Sequence, residues 1–166
     1  IQNILKKLLG DSKKNVFKDI NPLVDLTKEA FTTLQSLSND ELRGKTLEFK
    51  SKIKAYTADV DHEIAALKAK TQDENTDVDA KDEIFQEIDK LELLSNEKLE
   101  EVLLEILPEA FAVIKETARR FNENEEIEVT ATEMDRLVST QKDAVEIDGD
   151  KAIWFNSWTA GGAEVT

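Results

Sequence analysis

Apolar residues recur along the first 121 positions of this chain at steps of three and four, the spacing that places side chains on one face of a helix. After Pro22, Leu23, Leu26, Ala30, Leu34 and Leu37 form one such stripe. Proline needs no hydrogen-bond partner for its nitrogen and has a near-helical φ, so Pro22 is expected to open that helix. Ser38 then stands three residues before Glu41, the signature of a capping box at a new helix start. From there Leu42, Thr46, Phe49, Ile53, Tyr56, Val60, Ile64 and Leu67 run close to a heptad alternation, predicting a long helix to about Thr71 that needs a partner along its length. The segment TQDENTDVDA, residues 71–80, is polar and acidic and reads as a turn. Ile84, Ile88, Leu91, Leu94, Leu99, Val102, Leu103 and Ile106 resume helical spacing, with Ser95 and Asn96 carried inside the helix. The pattern predicts an antiparallel helical hairpin, 39–71 against 79–106, with an acidic tip. Pro108 is expected to start a further helix, on which Leu107, Phe111, Ile114, Ala118 and Phe121 form a stripe read as buried. Glu109 in its first turn and Arg119 and Arg120 in its last complement the helix dipole. Gly44 lies inside the long helix, where glycine costs up to about 1 kcal/mol, so a close-packed neighbour is expected there.

The two ends differ from this middle. Ile1, Ile4, Leu5, Leu8 and Leu9 fall on one side of a short helix that Gly10 stops. Five lysines, Lys6, Lys7, Lys13, Lys14 and Lys18, against Asp11 and Asp19 give residues 1–20 a charge of +3 and leave −17 for the rest of a −14 chain. Such a basic amphipathic segment lies on an anionic membrane surface, docks in a partner's groove, or folds onto its own domain. At the other end, Asn122 to Glu126 is an acidic connector, and Thr130 with Glu133 suggests a second capping box before a short helix through Leu137 and Val138. Val145 and Ile147 alternate with Glu146, Asp148-Gly149 supplies a tight turn, and Ala152 to Phe155 runs back, predicting a β-hairpin. Trp154 and Trp158, beside Gly161 and Gly162, call for a surface to bury against, and the expectation is that it belongs to polypeptide outside these 166 residues. The fold class is mainly α: a long antiparallel helical hairpin, shorter helices and a small C-terminal β-hairpin. The chain divides into a basic helix and linker (1–21), a helical region containing the hairpin (22–121, hairpin 39–106) and a small C-terminal region (122–166).

Composition narrows the function. A net charge of −14 repels phosphate backbones and disfavours nucleic acid as a partner. The absence of cysteine excludes a disulfide scaffold and a thiolate zinc site. No apolar run approaches the roughly 20 residues of a membrane span, so a soluble, intracellular protein is expected. Gly44-Lys45-Thr46 resembles the tail of a phosphate loop, but the glycine needed five positions earlier is Asn39 and no strand precedes it. Asp148-Gly149-Asp150 departs from a calcium loop, whose glycine comes sixth and whose ligands alternate. His62 stands without a second histidine or any cysteine and reads as solvated. The many acidic residues from Asp59 to Glu101 read as solvated helix faces, and no nucleophile, base and orienting group can be assembled.

Two stretches resemble a known family. Leu37-Ser38-Asn39-Asp40-Glu41-Leu42-Arg43-Gly44-Lys45-Thr46, followed by Glu48-Phe49, is similar to the L-S-[DN]-[DE]-E-L-[RK]-G-K-T-x-E-F segment of SecA, the motor ATPase of bacterial preprotein translocation. Leu107-Pro108-Glu109-Ala110-Phe111-Ala112-Val113-Ile114-Lys115-Glu116-Thr117-Ala118-Arg119-Arg120 is similar to that family's L-P-E-A-F-A-V-V-R-E-A-A-[RK]-R, in the same order. Ile4 to Gly10 also suits the family's opening helix. The resemblance implies an N-terminal fragment that ends before the family's D-V-Q-L-x-G-G segment and true phosphate loop. It therefore implies no catalytic, cofactor or metal residue in this chain. For the intact protein it implies ATP with Mg2+, the SecY channel, preprotein, an acidic phospholipid surface and a possible homodimer, at the cytoplasmic side of the inner membrane. It marks Lys6, Lys7, Lys13 and Lys14 as candidate membrane or partner contacts. Residues 50–106 and 122–166 depart from the common pattern as insertions, the first read as the acidic hairpin and the second as a small β-containing cap. A stand-alone acidic helical interaction module and a membrane-surface adaptor using residues 1–20 are the alternatives.

Overall fold

The structure, a computed structural model, describes residues 13–72 and 77–165. Four helices, α1 (Lys13–Leu34), α2 (Asn39–Thr71), α3 (Val78–Glu123) and α4 (Glu133–Ser139), and five short strands make up these residues, so the chain is mainly α. They group into two compact units, Thr46–Leu107 forming the body of one, and Ile20–Lys45 with Pro108–Thr166 the other.

The first unit is the expected hairpin. Val60 and Ile64 of α2 meet Ile88 and Leu91 of α3, with Leu67 and Ile84 packed alongside. Lys52–Glu105 at 2.8 Å, Asp59–Lys98 at 2.6 Å and Lys68–Glu92 at 2.8 Å tie the two helices, partners running in opposite directions as an antiparallel pair requires. The apolar seam is interrupted once. Buried Thr57 donates to Asp61 Oδ2 at 2.6 Å, and Ser95 donates to Asp61 Oδ1 at 2.9 Å, so this layer is polar but satisfied. Tyr56, which the spacing places on the apolar side, is exposed and donates its hydroxyl to Glu101; Thr57 takes the seam position instead. Leu94 and Leu103 are likewise outside the seam. Ser95 and Asn96 lie inside α3, as expected. His62 is exposed.

Pro22 and Pro108 do not open helices: each lies within one, α1 and α3 respectively. An internal proline forfeits a backbone hydrogen bond, so the helix must be held by packing on both sides of it. Around Pro108 that condition is met, with Val102 and Ile106 buried before it and Ala112 after it.

The second unit is built where the end of α1 meets the start of α2 and the latter part of α3. Leu34, Leu42 and Ala112 form its helical core, with Ala30, Phe31, Leu37 and Val113 around them. The Ser38 capping box forms as the spacing predicts: Glu41 N–H donates to Ser38 Oγ at 3.2 Å and Ser38 N–H donates to Glu41 Oε2 at 2.7 Å. Gly44 has no close-packed neighbour, since a Cβ there would meet nothing within 4 Å.

The expected β-hairpin is present as β2 (Val145–Asp148) and β3 (Lys151–Phe155), Val145 opposite Trp154 and Asp148 opposite Lys151, with Gly149 at φ 61° in the turn. The sequence reading missed β1 (Glu126–Thr130), which pairs antiparallel with β3 and makes it the central strand. It also missed the pair β4 (Trp158–Ala160) and β5 (Ala163–Val165), closed by Gly161 and Gly162 at positive φ. The box before α4 is two residues later than expected, Thr132 with Asp135, because Thr130 ends β1. Ile127, Val129, Val145 and Ala152 form the sheet's core, and Phe121, Val138 and Trp154 pack against it.

Candidate functional site

The two family-like stretches come together in the second unit through buried charge. On α3 the inward face is Ala112, Glu116 and Arg120, at steps of four. Glu116 is 0% exposed and accepts from Arg119 Nε and Nη2 at 2.8 Å each and from Arg120 Nε at 2.8 Å. The Arg119 fork, joined by Arg120, outweighs burial and holds the Glu116 carboxyl at about 2. Arg120 then reaches the first stretch: Nη1 donates to Asn39 Oδ1 at 2.7 Å, and Nη2 donates to the carbonyls of Leu37 at 2.6 Å and Leu34 at 3.3 Å. The last carbonyls of a helix lack partners of their own, so one arginine both neutralises Glu116 and closes α1. Lys45 pairs with Glu109 at 3.3 Å in the same unit.

A second cluster joins α2 to the sheet and α4. Asp135, 0% exposed, accepts from Arg43 Nη2 at 2.7 and 2.8 Å, from Thr132 N–H at 2.7 Å and from the Trp154 indole at 3.1 Å. Burial pushes its carboxyl up, but Arg43 and Thr132 overcome this and hold it at about 2. Arg43 Nη1 also donates to the Thr130 carbonyl at 3.3 Å, Asn39 donates to the Glu128 carbonyl at 3.1 Å, and Asp40 accepts from Thr130 N–H at 2.8 Å. The first turns of α2 are thus stitched to β1 by side chains.

These clusters tie elements together: both carboxyls, held at about 2, are ionised at neutral pH and each is bonded to arginine. Among the described residues no group of three or more His, Cys, Asp or Glu is placed to hold a metal ion. Gly44, Lys45 and Thr46 lie inside α2, where backbone N–H groups serve the helix, so the tripeptide does not fit a nucleotide phosphate. One groove of about 610 Å3 lies beside the sheet, lined by Ala118, Phe121, Asn122, Ala144, Trp154, Phe155 and Asn156.

Of the candidate contact lysines, Lys6 and Lys7 lie outside the described residues, as does the proposed helix they belong to. Lys13 and Lys14 are the first two residues of α1, their side chains likewise outside the description. The sequence reading missed Glu116, Asp135 and Arg43. Glu116 had a signal, an acid three and four residues before two arginines on one helix. Asp135 had a weaker one, the Thr132 capping box, and nothing local pairs it with a residue 92 positions away.

The family model described as SecA DEAD-like domain matches residues 5–141. The chain is 46% identical over all of its 166 residues to the protein translocase subunit SecA of Flavobacterium psychrophilum, covering 15% of that protein. It is 45% identical over 161 residues to that of Porphyromonas gingivalis and 46% identical over 160 residues to that of Phocaeicola vulgatus, covering 97% and 96% of the chain and 14% of each relative. It therefore spans about one seventh of the length of the curated relatives it matches. No solved structure matches. With its family match running over most of its length and the two quoted stretches locked together by Arg120, the chain belongs to the SecA family.

Proposed function

We propose that this chain is the front part of a motor that uses ATP to move unfolded preproteins through the SecY channel, and that by itself it does not turn over ATP. The observation that carries this reading is the match to proteins named translocase subunit SecA across the whole chain. The position of Gly44-Lys45-Thr46 inside a helix supports the second half. ATP and Mg2+ then belong to polypeptide outside these residues. Preprotein, the SecY complex, an acidic phospholipid surface and a second protomer are the partners of the intact protein, with Lys6, Lys7, Lys13 and Lys14 contributing to lipid or partner contact. A place at the cytoplasmic face of the inner membrane, without crossing it, agrees with the finding that no described helix is long and apolar enough to span a bilayer.

The purified 166-residue chain is expected to show no ATP hydrolysis above buffer in a coupled phosphate-release assay. Turnover that Lys45→Ala abolishes would overturn the proposal. One observation favours a second reading, a stand-alone acidic module that docks a basic partner: the hairpin forms its own compact unit. Reading the gene onward separates the two, since the motor reading requires a downstream phosphate loop in the same frame.

A further inference from the structure

Two rows of α3 leave apolar side chains outside. Phe111 and Ile114, expected on the buried face of the 107–121 helix, are 56% and 65% exposed, and Ala112, Glu116 and Arg120 take the inward positions. The other row lies on the hairpin, away from the seam of Ile84, Ile88 and Leu91. It reads Asp82, Phe85, Asp89 and Leu93 at steps of three and four, all exposed, Phe85 by 52% and Leu93 by 67%. Single exposed apolar side chains are ordinary, but this row also concentrates charge of one sign. Residues 46–71 of α2 carry four acids against five lysines, whereas residues 78–107 of α3 carry ten acids against three lysines. None of those three, Lys81, Lys90 and Lys98, falls in the row.

The course of α1 says what lies nearby. In the second unit α1 runs beside α3 in the same direction: Lys115 Nζ lies 4.2 Å from the centre of the Phe31 ring, and Arg120 bonds the carbonyls of Leu34 and Leu37. These contacts join residues 83 to 86 positions apart. The start of α1, up to Asp19, belongs to the compact unit of the hairpin. Carried back at an offset of about 84, residues 1–12 fall beside residues 85–96, the stretch that holds Phe85, Asp89 and Leu93. Their composition is the complement of the row. Ile4, Leu5 and Leu8 share one side of the segment and Lys6 and Lys7 flank it, so hydrocarbon meets hydrocarbon and ammonium meets carboxylate. The segment is joined directly to α1, and a tethered partner needs little affinity of its own.

We infer that residues 1–12 dock along the Asp82–Phe85–Asp89–Leu93 row of α3, with their apolar side chains on Phe85 and Leu93 and with Lys6 and Lys7 towards the two aspartates. Of the fates open to a basic amphipathic segment, the hairpin provides the one within its own domain. Both halves of the contact belong to this chain, so the docking holds or fails independently of the translocase reading.

These 166 residues contain no cysteine, so a crosslink between two introduced ones reports their proximity. Gln2→Cys is paired with Gln86→Cys in the full-length protein, both positions being outside the proposed contacts. The control pairs Gln2→Cys with Ala69→Cys, an exposed position on α2. A short bis-maleimide joins the pair, and peptide mass spectrometry on mixed light and isotope-labelled protein separates crosslinks within a molecule from those between copies. The Gln86 pair is expected to crosslink within one molecule at least tenfold more than the Ala69 pair. Asp82→Lys with Asp89→Lys should lower that yield at least fivefold, as should Lys6→Glu with Lys7→Glu, which leaves the hairpin untouched. Equal yields for the two pairs, a yield that neither charge reversal changes, or crosslinks formed only between copies would each overturn the inference.

Discussion

Asp135 and Glu116 have no exposed surface, and each stays ionised because arginine supplies what water would have. A carboxyl whose folded pKa lies below its unfolded value stabilises the fold at every pH above the unfolded value, and that contribution fades as pH falls through the folded one. With folded values of about 2, the second unit should lose stability between about pH 4 and pH 2, by an amount on the order of 1–2 kcal/mol for each group. Asp135→Asn should remove its share of that acid slope and cost about 2–3 kcal/mol at pH 7, because Arg43 loses its charge partner. Urea midpoints measured from pH 7 to pH 2 check both. Gly44 gives the opposite sign. Its Cβ position is open, so Gly44→Ala should stabilise α2 by about 0.5–1 kcal/mol, read as a higher urea midpoint. Neither carboxylate was legible as a buried residue, since sequence spacing counts a charge as an outward position. Only the partner across the fold reverses that reading.

At the scale of elements, regular spacing decided what could be read in advance. The hairpin was legible because Val60, Ile64, Ile88 and Leu91 belong to rows sustained over many turns, and Ser38 announced the start of α2 through two local hydrogen bonds. Ser38→Ala should accordingly cost about 1 kcal/mol, measured by the same urea titration. The helix after Pro108 was misread for a physical reason. It carries apolar side chains on two faces, and the one that packs inward is completed by an ion-pair cluster in place of further hydrocarbon. Its larger apolar row, Phe111 and Ile114, therefore looked like the core. Strand β1 has an alternation, Ile127 and Val129 buried between Glu126, Glu128 and Thr130, but it is only five residues long. Its partner β3 lies beyond an intervening helix and strand, so nothing local announced the pairing.

For the whole molecule, family membership was legible from two short stretches, and the structure gives a reason they travel together. Arg120 of one bonds Asn39 and the Leu37 carbonyl of the other, so the two are joined in the fold. Charge asymmetry also belongs to this scale. Residues 1–20 carry +3 in a −14 chain, and their deletion should reduce cosedimentation with vesicles rich in anionic lipid while leaving binding to neutral vesicles unchanged. Unchanged binding to the anionic vesicles would remove those lysines from the membrane contact. Trp154 has a use of a different kind. It is one of two tryptophans in the chain, and its indole N–H rests on the Asp135 carboxylate. The colour and brightness of its fluorescence therefore report whether that carboxylate is in place, and the protein carries an optical gauge of its own sheet that needs no added dye.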